Sequence, residues 1–152
     1  MVKKANIAKI RADAEAMYKK GDYYCSEAVI AAIRKNIVPD MPVEAIAMGS
    51  GFPVGIGGSK CTCGALTGGV IVLGYLFGRT TPGDEKVKKA MAISKELHDS
   101  FQENHKVLCC KVLTRGTKPG SAERMQKCVS FTGEMAAKTA ELAARELHMK
   151  IE

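Results

Sequence analysis

The stretch CGALTGGVIVLGYLF, residues 63–77, decides the fold. It is apolar on every helical face and is closed by Gly78, which predicts a central helix and not an amphipathic surface one. Its apolar run, residues 65–77, falls short of the ~20 residues that span a bilayer, and Arg79 closes it. Gly64 and Gly68 lie four apart, as do Ala65 and Gly69, so neighbouring elements can approach this backbone closely.

Outward from this helix the periodicity is helical on both sides. Before it, Gly49, Gly51, Gly55, Gly57 and Gly58 with Pro53 make a loop that no helix tolerates. Pro42 opens a short helix to Met48. Upstream, Asp22 offers an N-cap for a helix with Ala28, Val29, Ala32 and Ile33 inward, ending before Pro39. Ile7, Ile10, Ala14 and Met17 mark a first helix that stops at Gly21. Downstream, Thr81-Pro82-Gly83-Asp84 starts a long helix with Val87, Ala90, Met91, Ser94, Leu97 and Phe101 inward. A short segment carries Cys109 and Cys110 to Gly116. After the Lys118-Pro119-Gly120 turn a last helix runs over 122–148, with Glu134–Lys138 and Glu141–Arg145 as i, i+4 pairs. No β-alternation is found. The expected fold is one all-α domain over 1–152, a compact bundle of about five to six helices around the central Gly-rich apolar one.

Composition excludes some function classes. Of 152 residues, 46% are hydrophobic and 26% charged, a globular balance and not a disordered one. The net charge of +7 would attract acidic partners or nucleic acid. However, the cations at Lys3-Lys4, Lys19-Lys20, 86–89 and 111–127 are mixed with acids and lack interleaved aromatics. They read as a solvated surface, and nucleic-acid binding is not expected. Residues 1–20 are charged throughout and lack the apolar core of a secretory signal. A cytoplasmic chain without a membrane segment is expected.

The six cysteines carry the chemistry: Cys25, Cys61, Cys63, Cys109, Cys110 and Cys128. In a reducing compartment they stay thiols, either as small core hydrophobes or as ligands and redox groups. Cys25 falls in the first turn of the second helix and Cys63 at the start of the central one. The helix dipole there favours thiolate. The N–H groups of Gly64 and Ala65 could bond to thiolate or cluster sulfur, and Gly64 leaves room for a ligand. The loop with Gly57 and Gly58 feeds a helix start, as an anion nest does, yet it lacks a Walker ending and follows a helix. The bland alternative is that Cys25, Cys110 and Cys128 simply fill the core. No C-x-x-C knuckle is present to signal zinc. His98 and His105 read as surface residues, His148 as part of a polar tail, and the eight methionines as core filling. No acid–base pair can be placed, so neither an enzymatic activity nor a substrate is named.

With these pieces together the chain resembles the redox-active proteins called the C_GCAxxG_C_C family. The matching motifs are Tyr24-Cys25-Ser26-Glu27-Ala28-Val29, Gly55-Ile56-Gly57-Gly58, Cys63-Gly64-Ala65-Leu66-Thr67-Gly68, Cys110-Lys111-Val112-Leu113 and Cys128-Val129-Ser130-Phe131. They cover about residues 20–145 in order. The resemblance implies a small helical protein with four characteristic cysteines, here Cys25, Cys63, Cys110 and Cys128. It implies an iron–sulfur cluster, [2Fe–2S] or [4Fe–4S], on those four thiolates, with Gly57, Gly58, Gly64, Ala65 and Gly68 around it. The family is similar to the non-haem part of split-Soret cytochrome c; this chain has no C-x-x-C-H, the haem-attachment motif. Cys61 and Cys109 are extras that could swap ligands, resolve a sulfenic acid or form a disulfide. The expected role is electron transfer or redox sensing with an unidentified redox partner protein, and a homodimer is left open. Alternatives are cluster-free thiol–disulfide exchange, a zinc or copper(I) trafficking module, and a structural helical module.

Overall fold

The computed structural model describes residues 2–152. Local chemistry sets the helix ends. The Asn6 side chain accepts the Lys9 N–H at 2.8 Å and caps α1 (Ile7–Lys19), and Gly21, at φ +78°, turns the chain away. The next helix, α2 (Cys25–Asn36), starts two residues later than an Asp22 cap predicts. Tyr24 stands at its cap position, and the Glu27 carboxylate accepts the Tyr24 N–H at 3.0 Å. Cys25 is thereby the first helical residue. After the single turn α3 (Glu44–Ala47) and the glycine loop comes α4 (Gly64–Phe77), with Cys63 at its cap position. Asp84 Oδ1 accepts the Lys86 N–H at the start of α5 (Lys86–His105). The single turn α6 (Cys110–Leu113) leads to α7 (Ala122–Glu146), capped by Ser121.

Helix α4 packs on α2, α5 and α7, while α7 also lies along α1 and α2. The shared core holds Ile10, Val29, Ile33, Leu73, Leu97, Phe101 and Met135, all fully buried. The all-α reading stands. Its finer expectations need four corrections. First, α4 is not enclosed: Val70, Gly74 and Tyr75 reach the surface, because α2, α5 and α7 cover only part of its circumference. Second, Met91 is 67% exposed. The buried stripe of α5 is Ala90, Ile93, Leu97 and Phe101, and Met91 sits about 100° off it. Third, the surface pairs change partners. Glu134 bonds to Asn104 and His105 on α5, drawing His105 between the Phe101 and Phe131 rings, while Arg145 grips Glu96 through two 2.8 Å bonds. Lys138 pairs with Glu141 instead, and Arg145 also bonds to its neighbour Glu146, so the two expected i, i+4 pairs give way to both cross-helix and nearer same-helix partners. Fourth, a short parallel pair does exist, β1 (Lys4–Ala5) with β2 (Lys150–Ile151). Two residues are too few to alternate in sequence.

Two contacts of α4 position the site. At Gly68 the α2 backbone lies against α4, and a Cβ there would come 2.5 Å from Ser26 O and 2.9 Å from Ser26 Cα. At Gly64 a Cβ would meet the Cys25 sulfur at 2.4 Å and Phe52 O at 3.2 Å. The same helix thus seats α2 with one glycine and makes room for its thiol with the other. Among the described residues no helix is long and apolar enough to cross a membrane.

Candidate functional site

Four segments deliver one thiol each to a common space. Cys25 comes from the first turn of α2, Cys63 from the cap of α4, Cys110 from α6 and Cys128 from the first half of α7. Together with Leu113, Thr114 and Phe131 they line a single cavity of about 20 Å³. That space alone has room for about one water. Outside it lies a pocket of about 260 Å³ that shares Cys25, Cys110, Thr114 and Cys128 with it and adds Tyr18, Tyr24, Lys60 and Arg124. Cys63 is therefore the floor of the site, and the other three thiols form its neck.

The backbone around these sulfurs supplies donors. The Ala65 and Leu66 N–H groups face the Cys63 sulfur, as free N–H groups of a first helical turn do. The Ser26 and Val54 N–H groups face the Cys25 sulfur. Val54 reaches this position at φ +54°, which a β-branched residue rarely adopts. The Tyr18 hydroxyl faces the Cys128 sulfur and favours its thiolate. Lys60 and Arg124 favour the thiolate of Cys110, and Arg124 also that of Cys128. Arg124 is itself fixed by bonds to Thr117 Oγ1 at 3.0 Å and Thr117 O at 2.8 Å.

Helix-start placement does not lower the thiol pKa values as the sequence suggests. Burial pushes Cys25 up to about 11 and Cys63 up to about 12, outweighing the N–H donors. Burial also raises Cys110 and Cys128. The sign of the consequence is definite. Above the ordinary thiol value of 9.0 the unfolded chain has released protons that folded, metal-free Cys25 and Cys63 still hold. Their contribution to stability is complete below pH 9 and is lost as pH rises through 11 and 12. Between pH 9 and 10.5, stability of the reduced, metal-free chain should fall by at most about 1.4 kcal/mol per pH unit for each thiol. The urea midpoint of Cys63→Ala should fall less over this range than that of the parent chain. Equal slopes would mean that Cys63 is not held as a buried thiol.

Cys61 and Cys109 stand apart from this space. They form a disulfide with Cα atoms 4.2 Å apart, one of the roles left open for these two extra cysteines, while the other four remain thiols. Their approach follows from two backbone bonds beside them, Cys63 N–H to Leu108 O at 2.7 Å and Lys111 N–H to Lys60 O at 3.0 Å. These bonds join the glycine loop to the strand-like segment before α6. The remaining sequence expectations separate. Gly64 and Ala65 lie at the thiols, and Gly68 serves the α2 contact. Gly57 and Gly58 are exposed at φ +60° and +84°, line neither cavity, and shape the turn instead. Tyr18, Val54, Lys60 and Arg124 escaped sequence reasoning. Of these only Arg124 left a signal, one helical turn before Cys128.

The donor set is four soft thiolates, which suit an iron–sulfur cluster, zinc or copper(I). Four thiols around one space, with N–H donors aimed at two of them, fit a sulfur-ligated cluster. Among the described residues no three His, Cys, Asp or Glu side chains form a ligand set for one ion.

Fold and site together define the class, a helical thiol protein with redox-capable cysteines. The chain belongs to the C_GCAxxG_C_C family, whose model, described as "Putative redox-active protein (C_GCAxxG_C_C)", matches residues 23–142. No curated protein and no solved structure matches the chain.

Proposed function

We propose that this redox-family chain holds an iron–sulfur cluster on Cys25, Cys63, Cys110 and Cys128 and serves electron transfer or redox sensing. The observation that carries the reading is the convergence of four thiols, from four separate segments, on one cavity. A cluster bound there would supply a one-electron couple, its potential set by hydrogen bonds to sulfur and by burial. The chain's own groups are suited to that task. Burial of Cys63 keeps water from the floor, the N–H groups of Ala65, Leu66, Ser26 and Val54 orient sulfur, and Lys60 and Arg124 offset thiolate charge.

The Cys61–Cys109 disulfide supports a second reading, cluster-free thiol–disulfide exchange with the adjacent Cys110 thiol as attacking group. An absorption spectrum of anaerobically purified protein separates the two. The cluster reading expects brown protein with stoichiometric inorganic sulfide. Colourless protein whose Cys61–Cys109 bond exchanges with a dithiol would replace it with the second.

A further inference from the structure

The net positive charge of the chain has its largest local surplus in one segment. Residues 106–127 carry six Lys and Arg against one acid, Glu123, a surplus of five out of the net +7. This segment includes α6 and the start of α7, the elements that bring Cys110 and Cys128 to the site. Elsewhere several cations are taken up by acids: Lys9 and Lys35 by Asp13, Lys89 by Glu146, Arg145 by Glu96. Others there, such as Lys19, Lys20 and Lys86, form no ion pair among the described residues but belong to no local surplus of this size. Among the described residues Lys60, Lys111, Lys118, Arg124 and Lys127 form no ion pair.

Two of these cations line the thiol pocket, and the other three adjoin its lining residues along the chain. Lys60 and Arg124 line it, and Pro119 and Gly120 of its wall follow Lys118 directly. Lys111 bonds to the Lys60 carbonyl, and Lys127 adjoins Cys128. Between the cations lie exposed apolar side chains. Tyr24, 59% exposed, and Val54, 44% exposed, line the mouth; exposed Met125 shares the adjoining pocket with Tyr18 and Tyr24, and exposed Val112 follows Cys110 by two residues on α6. An apolar centre inside a charged rim is the anatomy of a protein-docking surface. Nucleic acid would reward a continuous basic stripe with aromatics spaced along it, whereas here Tyr18, Tyr24 and Val54 gather around a thiol pocket.

We infer that the rim around the cysteine pocket is a docking surface for an acidic protein, which sets its own redox group against the mouth. The unpaired cations steer the partner, and Tyr24, Val54, Val112 and Met125 supply the apolar contact. The inference takes its choice of partner from the redox reading, but binding itself needs no cluster. Its test therefore fails independently of that reading.

The experiment is a binding titration of the full chain with two acidic electron carriers, a flavodoxin and a plant-type ferredoxin, at low and physiological salt. Duplex DNA and a single-stranded RNA are titrated in parallel. Salt-sensitive binding of a carrier is expected, weakened about tenfold or more by Lys111→Glu/Lys118→Glu/Lys127→Glu. The equal-charge control Lys86→Glu/Lys88→Glu/Lys95→Glu on α5 should weaken it less than about threefold. Circular dichroism checks that both variants keep their helix content. If the first does not, Lys118→Glu alone, in an exposed turn, should still weaken binding by about threefold. Binding of neither carrier, equal losses in the two triple variants, or tighter binding of nucleic acid lost in the rim variant would each overturn the inference.

Discussion

Gly68→Val should lower stability by about 3 kcal/mol, a Tm fall on the order of 6–12 °C. The new side chain would begin 2.5 Å from Ser26 O and 2.9 Å from Ser26 Cα. Both are backbone atoms of α2, so no rotamer change relieves the clash and the whole helix must shift. Ser26 is fully buried and its hydroxyl donates to Gly49 O at 2.7 Å, so a shift of α2 also disturbs the chain before the glycine loop. Gly74 on the same helix is the control, because nothing lies within 4 Å of a Cβ built there. Gly74→Ala should therefore gain up to about 1 kcal/mol from helix propensity, while Gly68→Ala should lose stability. Urea unfolding of the reduced chains decides. Gly68→Ala as stable as Gly74→Ala would remove the close α2–α4 contact from the account.

Gly64→Ala should act on the site and spare the fold. Its Cβ would fall 2.4 Å from the Cys25 sulfur, the mobile end of a side chain, which can swing aside at little cost. Swinging aside takes the sulfur away from Cys63, Cys110 and Cys128 and from the Ser26 and Val54 N–H groups. Displacing a ligand in this way should lower cofactor affinity by about 10–100-fold. The urea midpoint should move by less than about 1 kcal/mol equivalent, because alanine is also the better helix former. A variant with normal iron and sulfide content would show that Cys25 does not depend on the space Gly64 leaves.

The contrast between these two glycines shows how far the sequence is legible. Their spacing on an apolar helix marks both as close-approach positions, since that follows from helix geometry alone. Which one meets backbone and which meets sulfur depends on the register of α2 against α4, a tertiary property. The long helices are legible because stripes such as Ala90, Ile93, Leu97 and Phe101 repeat at helical spacing. The thiols are placed at helix starts by the same reasoning, but their pKa direction is not readable. Burial of Cys63 comes from neighbours distant in sequence and outweighs the local N–H groups. The Cys61–Cys109 link joins residues 48 apart and leaves no local trace. The basic surplus over 106–127 is legible as a count, whereas its place beside the thiol pocket depends on how α6 and α7 pack.

The most direct test of the central claim is the iron and inorganic sulfide bound per chain in six single Cys→Ser variants, reconstituted and purified without oxygen. Serine at Cys25, Cys63, Cys110 or Cys128 should each remove most of the bound iron and sulfide, because each thiol lines the shared cavity. Serine at Cys61 or Cys109 should leave both near the parent level, because neither residue lines it. Loss of iron and sulfide in Cys61→Ser with retention in Cys63→Ser would contradict the ligand set, and a parent chain that takes up no sulfide would contradict the cluster itself.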